Sequence, residues 1–212
     1  MKKWDVCKKI EEKKVIAVIR ANSKKEAIEM SKAALEGGTN IIEITATTPG
    51  FLEVIDELLE TEDPDLILGV GTVLDTNTAR IALLKGVHFV VCPHFDKEIV
   101  ELCNLYNTLI IPGATNVQQI IECLKAGCQT IKLFPGNFFE SSAIKTLKGP
   151  LPQADFIPTG GISEKNMNVW LREGALAVGI GSEWNKVYKK GYKELVSYSQ
   201  RLSESVDDKV RV

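Results

Sequence analysis

Histidine is almost absent from the chain: His88 and His94 are its only two. A Ser-His-Asp triad or a multi-histidine metal site therefore has little to draw on. The five cysteines (7, 92, 103, 123 and 128) are odd in number and have no CxxC spacing, which argues against a disulfide framework and against a zinc site. They read as reduced, buried fillers. Long apolar runs are missing too. The longest, such as VIAVI at 15 to 19 and LILGV at 66 to 70, are far too short to span a bilayer, so no membrane partner is expected. The opening MKKWDVCKKIEEKK is charged throughout and has no apolar h-region, so a cytoplasmic protein is expected. An excess of one charge is also lacking: the net charge is -2, which leaves no electrostatic footprint for nucleic acid.

What is present is the balance of a soluble globular protein, 44% hydrophobic and 25% charged over 212 residues. That length supports one well-formed core, and a single domain over 1–212 is expected. The first eleven or so residues predict a short amphipathic helix with Trp4, Cys7 and Ile10 on one side. Strands are then expected at 15–20, 41–45, 66–70, 88–92, 108–112, 130–134, 155–159 and 175–181, with helices between them and a final helix followed by a charged tail expected to fray. Asn22-Ser23, Asp75, Thr115 or Asn116, and Ser163 are the expected helix starts.

Eight strands alternating with helices over short connections imply a parallel sheet with helices outside it. The glycines of LEGG (35–38), LKG (84–86), KAG (125–127) and REG (172–174) recur after the helix that precedes each even-numbered strand. A repeat of two strand-helix units fits a quasi-fourfold ring better than a doubly wound sheet, so the expected fold is an α/β (β/α)8 TIM barrel with a short N-terminal helix.

Such a barrel works at the C-terminal ends of its strands. The stretch TIKLFPG (130–136) places one lysine inside a strand, where Lys132 shares a face with Thr130 and Phe134. A lysine in an enclosed site can attack a carbonyl as a neutral amine and form a Schiff base; the plain alternative is a strand-end lysine that reaches solvent. Strand two carries Glu43 and Thr45 on one face, and strand one ends in Arg20 in line with Ile16 and Val18. Strand three ends in Thr72, in register with Leu68 and Val70. Glu43 and Lys132 form a candidate pair, as a structural salt bridge or as a functional one. Arg20 and the threonines have their own plain readings as a surface charge and as helix caps. TGGIS (159–163) and GIGSE (179–183) follow the last two strands, where glycines and a helix N-terminus suit a phosphate, making Thr159, Gly160, Gly161, Gly181 and Ser182 candidates. Either glycine pair alone is more often a tight turn, and Glu183 adds a negative charge beside the site unless it turns outward.

IIEIT, GVGTVL, CPHFD, IPGATN, IKLFPG, IPTGGIS and GIGSEW, in that order and at that spacing, resemble the 2-keto-3-deoxy-6-phosphogluconate aldolases, including relatives that also cleave 2-keto-4-hydroxyglutarate. The resemblance covers nearly the whole chain. It implies Lys132 as the Schiff-base lysine, Glu43 as general acid/base, Thr72 at the carboxylate end of a 2-keto acid, and Phe134 as the aromatic wall. It also carries Thr45, Thr47 and Pro93 as substrate contacts. A homotrimer, no metal, no cofactor and a pyruvate product are further implications. Many members have arginine where this chain has Thr47; another branch pairs threonine there with an arginine ending strand one, so Arg20 is the candidate carboxylate clamp. A phosphate-binding sugar isomerase or epimerase, a 2-keto-3-deoxy-6-phosphogalactonate aldolase and a non-catalytic anion-binding barrel are the competing readings.

Overall fold

A computed structural model of the chain describes residues 2–206. The expected alternation is there. Helix α1 (Lys3–Lys13) leads into β1 (Val15–Ile19), followed by α2 (Lys24–Glu36), β2 (Ile41–Thr45), α3 (Phe51–Leu59), β3 (Ile67–Gly71), α4 (Thr76–Leu84), β4 (Phe89–Val91) and α5 (Lys97–Leu105). Then come β5 (Leu109–Ile111), β6 (Gly113–Ala114), α6 (Val117–Lys125), β7 (Thr130–Leu133), α7 (Ala143–Lys148), β8 (Asp155–Pro158), α8 (Met167–Arg172), β9 (Val178–Ile180), α9 (Ser182–Tyr188) and α10 (Tyr192–Glu204). The expected fraying of the tail falls on 207–212, outside the described residues.

Every strand pairing is parallel, in a six-stranded sheet ordered β5-β4-β3-β2-β1-β9 and a three-stranded sheet ordered β6-β7-β8. The core is thus a parallel β structure wrapped by helices, a distorted TIM-barrel-like arrangement in two sheets. Two links join the sheets. Pro112 separates β5 from β6 within one run of chain, and a lone parallel bridge, Thr159 to Gly179, connects the end of β8 to β9. Proline cannot donate to a ladder, which explains why the strand expected at 108–112 is two short pieces.

The strands are buried on both faces and sort into two apolar clusters. Ala17, Ile19, Ile42, Ile44, Leu68, Val70, Val90, Ile131 and Leu133 pack in the cluster that includes the surrounding helices. Ile16, Val18, Ile41, Ile67, Phe89, Val91, Ile111 and Ile157 form the second, interior cluster. Val6 and Ile10 of α1 belong to it, so this helix, which runs straight into β1, seals the N-terminal end of the strands. Its buried face corrects the expectation: Val6 and Ile10, four residues apart, point inward, while Trp4 is 69% exposed and Cys7 is half-buried.

Side-chain caps fix where helices leave the C-terminal ends of strands. Ser23, Asp75, Asp96 and Asn116 accept from the backbone N–H groups of Glu26, Thr78, Ile99 and Gln119. Ser163 does not cap as expected. Its own N–H donates to Asn166 Oδ1 at 2.8 Å, a turn occupies 163–166, and α8 begins at Met167. At the opposite ends, Gly38, Gly86, Gly127 and Gly174 all have left-handed φ, between 81° and 97°. A Cβ on Gly127 would meet nothing within 4 Å, so the need there is one of backbone conformation and not of space. Gly127→Ala is accordingly expected to lower stability by about 1–2 kcal/mol with no loss of packing, and urea unfolding of the two proteins measures it.

Candidate active site

The interior cluster ends in a polar layer. Lys132 in β7, flanked in register by Gly113 and Ile157, is 5% exposed, and Glu43 in β2 is 2% exposed. Lys132 Nζ lies 3.7 Å from Glu43 Oε1, close enough for an ion pair and too long for a strong hydrogen bond. Among the described residues Oε1 has no hydrogen-bond partner. Nζ also sits 5.0 Å from the centre of the Phe134 ring, whose face attracts a cation. The pair occupies the wall of a cavity of about 400 Å³.

Eleven of the expected site residues converge on that cavity: Arg20, Glu43, Thr72, Pro93, Lys132, Phe134, Thr159, Gly160, Gly161, Gly181 and Ser182. Thr72 arrives there against strand parity. Its register partners Leu68 and Val70 pack in the cluster that includes the helices, and a left-handed φ of 58° at Thr72 breaks the alternation. A non-glycine residue held in that region is strained backbone at the cavity wall. Thr45 and Thr47 are not brought into the wall. Thr45 is fully buried and bonds through its hydroxyl to Thr47 and Thr48, at 3.1 and 3.2 Å.

Thr48, read from sequence only as part of the Thr47-Thr48-Pro49 start of a helix over roughly 50–61, accepts the Ala21 N–H at 3.2 Å. Asn185, also missed, lines the cavity and donates from Nδ2 to the Arg20 carbonyl at 2.7 Å. The turn after β2 and helix α9 thus hold the end of β1, from which the exposed Arg20 projects. Among the described residues no carboxylate lies within ion-pair distance of Arg20, which leaves its guanidinium open to an anion. Neither contact had a sequence signal beyond a polar residue near a strand end. Gly160 and Gly161 have left-handed φ of 98° and 76°. Glu183 is not in the wall; it accepts from Lys186 Nζ at 2.6 Å.

The remaining chemistry-bearing residues stand apart from the cavity. His88 Nδ1 accepts the Leu68 N–H, and burial holds this imidazole below its usual range. His94 lies 4.0 Å from Asp96. Burial pushes the Cys92, Cys103 and Cys123 thiols up to about 12 and Cys128 to about 11, so none is poised as a thiolate nucleophile. Among the described residues no group of three or more His, Cys, Asp or Glu side chains could hold a metal ion, and no helix is long and apolar enough to cross a membrane.

A buried amine against a buried carboxylate, with a rim cation and glycine turns around one cavity, defines a site for an anionic carbonyl compound. A family model described as KDPG and KHG aldolase matches residues 6–196. A 2-dehydro-3-deoxy-phosphogluconate aldolase of Pseudoalteromonas atlantica is 33% identical over 155 residues, 72% of this chain and 71% of that protein. The 2-dehydro-3-deoxy-6-phosphogalactonate aldolase of Escherichia coli is 26% identical over 84% of this chain and 85% of its own length. Among solved structures, the KDPG aldolase of Legionella pneumophila, with pyruvate captured as a covalent carbinolamine intermediate, aligns with a TM-score of 0.84 at 26% identity, over 93% of this chain and 97% of that one. The chain belongs to the KDPG and KHG aldolase family. It is a carbon-carbon lyase of class I, the class that works through a Schiff base.

Replacing Thr48 by valine keeps the shape but removes the acceptor for the buried Ala21 N–H. The variant is expected to be about 1–3 kcal/mol less stable than the parent protein, read by chemical denaturation.

Proposed function

We propose that the enzyme cleaves 2-keto-3-deoxy-6-phosphogluconate to pyruvate and glyceraldehyde 3-phosphate, and 2-keto-4-hydroxyglutarate to pyruvate and glyoxylate, through an imine on Lys132. The observation that carries this reading is the Lys132–Glu43 contact of 3.7 Å, buried in the wall of a cavity rimmed by Arg20. Lys132 Nζ attacks the C2 carbonyl and water leaves, giving an iminium. This accepts the electron pair of the C3–C4 bond when it breaks. Glu43 takes the proton of the C4 hydroxyl as the aldehyde departs, and a proton is later returned to C3 of the enamine before water releases pyruvate. Arg20 and Thr72 are assigned to the carboxylate, Pro93 and Phe134 to the wall beside C2 and C3, and Thr159, Gly160, Gly161, Gly181 and Ser182 to the far phosphate. Thr45 and Thr47, set back from the wall, are assigned to supporting β2. The pairing of Glu183 with Lys186, away from the cavity wall, supports a phosphate there by partly offsetting its charge.

The 4-epimeric phosphogalactonate derivative is the second reading, favoured by the likeness to the Escherichia coli enzyme over 84% of this chain. Cleavage assays on the three keto acids, with pyruvate coupled to lactate dehydrogenase, rank them. In the same proposal the two sheets are arcs of one closed eight-stave barrel, β5 and β6 counting as one stave, over a single domain of residues 1–212. The Thr159–Gly179 bridge and the hydrogen bond from Lys132 N–H to the Pro112 carbonyl, 2.9 Å, support closure. A cytoplasmic homotrimer completes the reading.

Borohydride added with pyruvate is expected to attach a three-carbon mass to the peptide carrying Lys132 and to abolish activity. An adduct on Lys125 or Lys145 instead, or none, would overturn the assignment. Glu43→Gln keeps shape and removes the base, so turnover is expected to fall on the order of a hundredfold or more while thermal stability stays near that of the parent. A purely structural ion pair predicts the reverse, a loss of roughly 3–5 kcal/mol with normal turnover of the folded fraction.

A further inference from the structure

The inner face of β3 is stripped of side chains where it meets the catalytic pair. Ile67 is followed on that face by Gly69 and Gly71, and in the β2–β3 register Gly71 stands beside Thr45 and Gly69 beside Glu43. Gly71 has no left-handed φ, so its backbone does not require glycine. Space does. A Cβ built there would overlap Oε1 and Cδ of Glu43 and lie 2.6 Å from its Cγ, against an ordinary carbon–carbon separation of about 3.5–4.0 Å. The Glu43 side chain therefore lies across the bare α-carbon of Gly71. Nothing else near Oε1 fixes it by hydrogen bonding, since that oxygen has no such partner among the described residues and Lys132 Nζ is 3.7 Å away.

We infer that Gly71 is a positioning residue for the reaction: the void over its α-carbon sets where the Glu43 carboxylate rests, and so the distance over which it exchanges protons with the substrate. This rests on the reading of Glu43 as the acid/base. A methyl group at position 71 would push the carboxylate by about 1 Å or more, toward Lys132 or into another rotamer. Displacement on that scale can cost on the order of a hundredfold in rate, even when the nucleophile and the binding groups are intact.

Pyruvate alone supplies the test, because its imine on Lys132 loses a methyl proton to the base and regains a deuteron from D2O. In Gly71→Ala, methyl exchange followed by NMR is expected to slow on the order of a hundredfold. Borohydride trapping at Lys132 and the KM for pyruvate should change little. In the Glu43→Ala background, which removes Cγ, Cδ and the carboxylate oxygens from over position 71, adding Gly71→Ala is expected to slow the residual exchange no further. A crystal structure of Gly71→Ala should find the carboxylate displaced. Exchange at the parental rate in Gly71→Ala, or losses that simply multiply in the Glu43→Ala, Gly71→Ala double variant, would overturn the inference and leave the role of Glu43 standing. If Gly71→Ala does not fold, the comparison of Glu43→Ala with the double variant decides alone. Parental exchange in Glu43→Gln would instead remove the acid/base reading itself, and the positioning role with it.

Discussion

A cation and an anion facing each other inside a parallel β core are the constraint on which the rest of the structure depends. Taking both groups out of water costs several kcal/mol per ion, and their mutual attraction repays this only with good geometry and full hydrogen bonding. Here Nζ and Oε1 are 3.7 Å apart and Oε1 lacks a hydrogen-bond partner among the described residues. As a stabilising device the pair is poor, and an apolar pair of similar volume would serve the fold as well or better. In the proposed role of making and collapsing an imine it is better suited, because an amine and a base are held together with little exposure. The apolar layer beneath it, Ile16, Ile41, Ile67, Phe89 and Ile157, closed from below by Val6 and Ile10, keeps that environment dry.

The regular parts of this arrangement were legible in the sequence because they follow from local rules. Ser23, Asp75 and Asn116 cap helices as their chemistry predicts, and the four periodic glycines adopt the left-handed conformation that their position after a helix demands. Lys132 and Glu43 stood out for the opposite reason, as charges within apolar strands. What failed were features decided by which partner a side chain meets, which periodicity and residue type do not encode. The buried stripe of α1 depends on which side meets the strands: a stripe drawn through Trp4, Cys7 and Ile10 is as periodic as one through Val6 and Ile10, and of its three residues Ile10 is the one fully buried. Ser163 and Asn166 are both competent cap residues, and the turn between them reversed the roles.

Thr72 illustrates a subtler limit. Its place at the end of strand three made it a candidate, yet two-residue alternation extended from Leu68 and Val70 points it toward the helices. Only the left-handed backbone at that residue turns it to the cavity, and a threonine carries no signal of that conformation. Asn185 and Thr48 were invisible for a related reason: each acts on the backbone of a residue more than twenty positions away, Arg20 and Ala21, and side chain to main chain bonds leave no periodicity to read.

These contacts divide the site by the kind of force that fixes each part. Below the rim, position is held by directed hydrogen bonds, an exposed one from Asn185 to the Arg20 carbonyl and a buried one from the Ala21 N–H to Thr48, so that the guanidinium swings from an anchored base. In the interior, hydrogen bonds to the reacting groups would stabilise one protonation state and slow its exchange for the other, so position is held by shape instead. Phe134 lies along the lysine, and the bare α-carbon of Gly71 makes room for the carboxylate. On the proposed mechanism each group gains and loses a proton in every cycle, and a group of that kind is better confined by its neighbours than bonded to them; this interior confines both.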